Sequence, residues 1–187
     1  MNERKRHHIL DRALEVFFRY GFKRVSMNEI AEAAGISRPG LYLYFQSKEQ
    51  VFSEALARQG TLLVDEISSN LGAYESASAK LLYAFEVWTV STFDRNKNSP
   101  EAQEIVDATP HFARDAHKAV YEKFESLLAA VVADAGTDIQ YLKLSPSKVA
   151  HILSSAMRGF KIVAKDGAEL RRMLKGLIAL TLRTPES

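Results

Sequence analysis

Apolar side chains recur at helical spacing along most of the chain, and no window alternates convincingly at the period of two that a half-buried strand requires. Leu10, Leu14, Phe17 and Phe18, flanked by Ile9 and Ala13, give residues 2–20 a wide apolar stripe, with Arg12, Glu15 and Arg19 facing out and Gly21 as terminator. Ile30, Ala31, Ala33 and Ala34 lie on one face of a short helix from Met27 to Ala34. Ser26 with Glu29 gives that helix a capping-box start, and Gly35 stands where a left-handed residue closes a helix. Ser37 caps a second short helix whose first residues are Arg38 and Pro39; proline is tolerated there because that position has no N–H partner to lose.

A fourth helix opens at Ser47, with Gln50 three residues on, and runs through Val51, Phe52, Ala55, Leu56 and Leu62 to near Leu71, joining two halves of the chain. Gly72 and the Ser/Ala-rich stretch to Ser78 form the first clear break. The pattern then predicts a helix over 79–93, a loop over 94–100 (DRNKNSP), a short helix over 101–108 ended by Pro110, and a long helix over 111–134 broken at Gly136. Its apolar face runs from Phe112 through Phe124 to Val131. Two further helices, 146–165 and 168–182, close the chain. The expected fold is all-α with about nine helices: an N-terminal three-helix helix-turn-helix domain, 1–47, and a C-terminal helical domain, 48–187.

Two short helices joined by a tight glycine turn are the geometry of a helix-turn-helix, whose second helix enters the DNA major groove. An αα-corner of a helical enzyme gives the same pattern. The segment GISRPGLYLYFQSKEQVFSEAL, however, resembles the DNA-binding segment of the TetR (tetracycline-repressor-like) family of transcription regulators, through Gly35, Ser37, Leu41, Tyr42, Tyr44, Phe45, Ser47, Lys48 and Glu49. With the Tyr20-Gly21-Phe22 exit of the first helix, the resemblance spans residues 5–56. Pro39-Gly40, Leu43 and Gln46 depart from that pattern, where small polar residues, His and Pro are commoner.

The resemblance implies a homodimeric regulator on a palindromic operator of double-stranded DNA, released by a largely apolar small-molecule effector. A TetR-like architectural or partner-binding protein without an inducer is the alternative. Candidate DNA contacts are Ser26, Met27, Arg38, Pro39, Gly40, Tyr42, Leu43, Tyr44 and Lys48. Arg38 is the long cationic donor near the start of the recognition helix, suited to a guanine edge or to a phosphate. Tyr42 and Tyr44 approach backbone or bases by resemblance, or one of them packs on the first helix. Pro39, Gly40 and Leu43 offer close approach or apolar contact to a thymine methyl. The leading Arg4-Lys5-Arg6 is either a basic arm on DNA or a solvated end.

The family's C-terminal region commonly holds a cavity, and the expected lining here is Phe85, Trp88, Thr89, Thr92, His117, Tyr121 and Phe124, with a filled core as the alternative. The expected dimer interface uses Val149, Ile152, Leu153, Ala156 and Phe160 with Leu174, Leu177 and Ile178. Leu174, Leu177, Ile178 and Leu182 are too many apolar residues to turn inward together, and Gly159 and Gly176 allow close helix approach. The other reading of these faces is the end of a monomeric core.

Composition narrows this further. The chain has 187 residues, 47% of them apolar, enough for a real core. With no cysteine, disulfides, thiolate metal sites and cysteine nucleophiles are excluded. The net charge of +2 is uneven: residues 1–58 hold ten Lys/Arg and seven Asp/Glu (net +3), and the remainder holds fifteen and sixteen (net −1). The excess cation lies with the helix-turn-helix, where phosphate attraction is useful. The five histidines lack metal-site spacing, and no Ser/His/Asp pattern, carboxylate pair or glycine-rich phosphate loop occurs, so no metal, cofactor or enzyme activity is expected. The charged start MNERKRHH lacks the apolar core of a signal peptide and no run is long enough to span a membrane, so a cytoplasmic protein is expected.

Overall fold

The computed structural model describes residues 2–107, 113–135 and 143–182. The sequence expectations at Pro110, His111, Phe112 and Gly136 lie outside the described residues. Within them are ten α-helices and no strand: α1 (Glu3–Tyr20), α2 (Met27–Ala33), α3 (Arg38–Tyr42), α4 (Lys48–Asn70), α5 (Ala77–Phe85), α6 (Ser91–Lys97), α7 (Pro100–Asp107), α8 (Arg114–Asp134), α9 (Pro146–Val163) and α10 (Gly167–Leu182). A π-helical turn, Glu86–Val90, runs from α5 into α6, so these form one helical stretch and the total becomes the expected nine.

The predicted loop over 94–100 is mostly helix. Helix α6 continues to Lys97, with Arg95 and Lys97 in its last turn where cations favour the helix dipole, and Pro100 already opens α7. Polar composition alone concealed a helix end.

The chain divides into two compact units, Met1–Thr61 with Arg95–Val120, and Leu62–Asp94 with Tyr121–Ser187. The division is thus not a single cut after residue 47, because α4, α6 and α8 each contribute to both units.

In unit 1 the apolar stripe of α1 (Ile9, Leu10, Ala13, Phe17) packs with Ile30, Leu41, Phe45, Val51 and Phe52. Phe17, Phe22 and Phe52 form its aromatic centre, with ring centroids 5.0–5.6 Å apart. Gly60 is required by packing: a Cβ there would lie 2.2 Å from a Val120 methyl. Unit 2 has its own core, built from Leu81, Phe85, Phe124, Leu128, Leu153, Met157, Leu174 and Ile178 with others. Gly167 opens α10 with its N–H donated to Asp94 Oδ1 at 2.7 Å.

Candidate nucleic-acid interface

Local chemistry sets the helix-turn-helix. Ser26 and Glu29 form the full capping box: the Glu29 N–H donates to Ser26 Oγ at 3.4 Å, and the Ser26 N–H donates to Glu29 Oε2 at 2.7 Å. Those bonds from Ser26, backbone first, hold the Glu29 carboxyl below its usual range. Gly35 takes φ +65° in the turn. Ser37 then caps α3 by accepting the Gly40 N–H at 3.1 Å, with Pro39 in the first turn. Leu41 and Phe45 are fully buried and anchor α3 inward, so Arg38, Pro39, Tyr42 and Leu43 face solvent. Residues four apart lie on one side of a helix. Arg38 and Tyr42 accordingly form a polar edge, with the guanidinium 5.8 Å from the tyrosine ring, and Pro39 and Leu43 form an apolar one.

Other members of the expected contact set are committed elsewhere. Met27 is buried and belongs to the core of unit 1, so its side chain does not face solvent. Ser26 is exposed, but its hydroxyl and N–H serve the capping box. Tyr44 is half-buried against the unit 1 core. Lys48 donates to the Phe22 carbonyl at 2.8 Å and sits 4.3 Å above the Phe22 ring, tying the start of α4 to the loop after α1. Gly40 is partly exposed beside the Ser37 cap.

The basic arm is also not an arm. Residues 4–6 lie inside α1, and Arg6 is only 16% exposed: it donates to the Tyr44 carbonyl at 3.1 Å, pairs with Glu54 and sits 4.5 Å over the Phe45 ring. These contacts join residues 38 and 48 positions apart, which no local pattern signals. Helix α7 adds a second support that the sequence hid. Glu104 accepts the Lys23 N–H at 3.2 Å, and Glu101 pairs with Arg24 at 3.7 Å, fixing the loop that enters α2.

In unit 2 the expected pocket residues come together as packed rings. Trp88 stacks on Phe124 at 4.1 Å, Tyr121 meets Trp88 edge-on at 5.6 Å, and Phe85 meets Phe124 at 5.8 Å. Phe85, Thr89 and Phe124 are buried. Burial holds the Tyr121 hydroxyl above the usual tyrosine range, against the opposing pull of a hydrogen bond from Trp88 and the charge of Arg158. His117 falls in unit 1, whereas Phe85, Trp88, Thr89, Tyr121 and Phe124 fall in unit 2. Thr92 instead lines a cleft of about 250 Å³ with Leu63, Glu66, Glu86, Val87 and Ser91. Ser154, overlooked in the sequence, is fully buried with no hydrogen-bond partner for its hydroxyl.

The expected dimer residues divide in two. Val149, Leu153, Leu174 and Ile178 are buried in the core of their own unit, as is Leu182; Leu177 packs partly against it. Of the four residues expected not to turn inward together, Leu174, Ile178 and Leu182 are buried and Leu177 alone stays partly outside. Ala156, Phe160 and Leu177 are half-buried, and Ile152 is exposed. The outward apolar residues missed by the pattern are Ile162 (83% exposed) and Leu180 (79%); Val163, whose spacing predicts an inward position on α9, is exposed as well because it ends the helix. Gly159 and Gly176 both open onto empty space.

A capped short helix, a glycine turn and a second helix presenting a side-chain face make a helix-turn-helix, the motif whose second helix enters the major groove in DNA-binding proteins. Residues 9–55 match the family of bacterial regulatory proteins, tetR family. MftR, a transcriptional regulator of Mycobacterium tuberculosis, is 42% identical over 96 residues, covering 49% of this chain and 44% of that protein. The HTH-type transcriptional regulator AcrR of Shigella flexneri is 47% identical over 49 residues, covering 26% and 23%. The chain thus matches less than half the length of these curated relatives. Reduced NemR of Escherichia coli shares the fold at a TM-score of 0.73 and 17% identity, over 98% of this chain and 100% of that one. Residues 9–55 thus carry the N-terminal segment of the tetR family of bacterial regulatory proteins, and the fold of the whole chain is shared with solved structures of that family.

No group of three or more His, Asp or Glu among the described residues is placed to hold a metal ion. No described helix is long and apolar enough to cross a membrane.

Proposed function

We propose that the protein is a homodimeric, cytoplasmic repressor that binds a palindromic operator through α3 and releases it when a small molecule occupies unit 2. The observation that carries this reading is the solvent-facing surface of α3, Arg38, Pro39, Tyr42 and Leu43, backed by the buried Leu41 and Phe45. Arg38 supplies two parallel donors for a guanine O6 and N7 in the major groove. Four base-reading side chains cover only a few base pairs, so selection among genomic sites needs two copies about 34–36 Å apart.

The second copy docks through Ile152, Ala156, Gly159 and Ile162 of α9 with Leu177 and Leu180 of α10. These leave apolar surface on the outside of unit 2, and the two open glycines let helices close up. Two features support an effector in unit 2: the cleft at Leu63, Glu66, Val87 and Thr92, and the unpaired Ser154 hydroxyl, a buried group that native cores ordinarily satisfy. The ring packing of Phe85, Trp88, Tyr121 and Phe124 favours the second reading, a TetR-like DNA-binding protein without an inducer, because those rings already fill the space between them.

Selecting genomic DNA fragments on the purified protein, then footprinting them, tests the proposal. A protected inverted repeat is expected. Small molecules screened against that complex should release it while changing the emission of Trp88, the only tryptophan. Retention of unrelated sequences with no common repeat overturns the operator reading. Release by no compound leaves the inducer-free form in place.

A further inference from the structure

We propose that the cleft in unit 2 lined by Leu63, Glu66, Glu86, Val87, Ser91 and Thr92 binds a small organic cation with a one-ring apolar body; this deepens the effector reading given above. The lining comes from two stretches, the second half of α4 and the π turn that leads from α5 into α6. On α4, Leu63 and Glu66 stand three apart and so share a side of the helix. On the other wall, Glu86 and Ser91 are five apart, as are Val87 and Thr92. Residues five apart point to different sides of a regular α-helix, which turns once every ~3.6 residues. Here the Ser91 N–H donates to the Glu86 carbonyl, the i to i+5 bond of a π turn, and this wider turn brings both pairs into line. An unbroken α-helix would separate Ser91 from Glu86 and Thr92 from Val87. The irregular turn therefore builds the wall.

Charge selects the class of ligand. Both ionisable groups lining the cleft are carboxylates. Arg171 already pairs with Glu86. The Glu66 side chain is exposed and has no hydrogen bond or ion pair among the described residues, so its charge is left for a ligand. Tyr83, one helical turn before Glu86, stacks on Tyr74 with ring centroids 4.7 Å apart. Burial, then the Glu66 carboxylate, holds the Tyr83 hydroxyl above the usual tyrosine range and keeps that phenol neutral beside Glu66. A carboxylate next to neutral aromatic rings attracts a cation and repels an anion. Leu63 and Val87 give the apolar body its surface. The volume of about 250 Å³ limits that body, since about 150 Å³ takes a benzene ring and the remainder takes a head group of a few atoms.

The test titrates the whole chain with benzyltrimethylammonium and with phenylacetate, single rings of opposite charge, by isothermal calorimetry at moderate salt. Methyl NMR of Leu63 and Val87 reports whether the cleft is the place bound. The cation should bind, shift both sets of methyl signals and exceed phenylacetate in affinity by about tenfold. Glu66→Gln should weaken the cation about threefold to fivefold, the scale of one solvent-facing charge pair, and Glu66→Asp should restore most of it. Asp134→Asn removes a carboxylate that does not line the cleft and should change nothing. Both side chains are exposed, so every variant should keep the wild-type helical circular dichroism.

Equal affinity for the two probes overturns the proposal, as does cation binding that leaves the Leu63 and Val87 methyls unshifted. Wild-type affinity in Glu66→Gln, or no cation binding at millimolar concentration, overturns it as well. Repeating the titration on the operator complex separates this from the effector reading. If the bound cation leaves the operator in place, the cleft assignment stands and the effector reading fails. If another compound releases the operator while the cation binds nowhere, the reverse holds.

Discussion

Arg6→Met separates a structural role for the basic first helix from a DNA-contacting one. Methionine keeps most of the aliphatic volume, so the loss reports the polar contacts. It leaves the Tyr44 carbonyl, at the exit of the recognition helix, without its donor. An unsatisfied, partly buried acceptor costs about 1–3 kcal/mol. Losing the cation over Phe45 adds about 0.5–1 kcal/mol. The Glu54 pair, whose carboxylate is 33% exposed, adds about 0–1 kcal/mol. A net destabilisation of about 1.5–5 kcal/mol follows, read as a lower urea midpoint with the slope unchanged. Arg4→Met is the control: Arg4 is exposed, and the change should move stability by no more than about 0.5 kcal/mol. If Arg6→Met unfolds at the wild-type midpoint yet loses operator affinity with a flatter salt dependence, Arg6 is a phosphate ligand and the structural argument is refuted.

Three other outcomes follow from the same geometry. Gly60→Ala should destabilise by about 1–3 kcal/mol in thermal melts, since the new methyl meets Val120, whereas Gly176→Ala, opening onto empty space, should be neutral or stabilising. Because the Glu29 carboxyl is held below its ordinary value in the fold, its capping contribution is present above the unfolded pKa and lost as pH falls through the folded one; Glu29→Gln should remove that acid-limb dependence from a pH series of melts. Leu180→Asp should give helical monomers of weak operator affinity by light scattering and gel shift, and a variant that stays dimeric would move the interface off this face.

Much of the DNA-binding unit was legible because its determinants are local. Ser26 with Glu29, Gly35, and Ser37 with Pro39 each act within four residues, which is the reach of sequence pattern. The side chains that hold the unit together act across the chain: Arg6 on Tyr44 and Glu54, Lys48 on Phe22, Glu104 on Lys23. From sequence alone Arg6 and Lys48 read as candidates for DNA contact, since a charge carries no label for its partner. Apolar spacing located the inward faces of α9 and α10, but it could not say which residues one subunit's core consumes. Val149, Leu153, Leu174 and Ile178 went inward, and the outward surface fell to Ile162 and Leu180 at the edges of those stripes. The π turn at Glu86–Val90 was invisible because one inserted residue leaves the apolar period nearly unchanged.

The most direct test of the α3 reading is a salt titration of wild type, Arg38→Ala and Lys48→Ala on the selected operator and on unrelated DNA of equal length. Arg38→Ala should lose about 1–3 kcal/mol on the operator, relax preference at one base position and leave binding to unrelated DNA nearly unchanged. Lys48→Ala, whose amine bonds the Phe22 carbonyl, should lower stability while keeping the wild-type salt slope. Equal operator binding by wild type and Arg38→Ala at every salt concentration would contradict the assignment of α3 as the reading element.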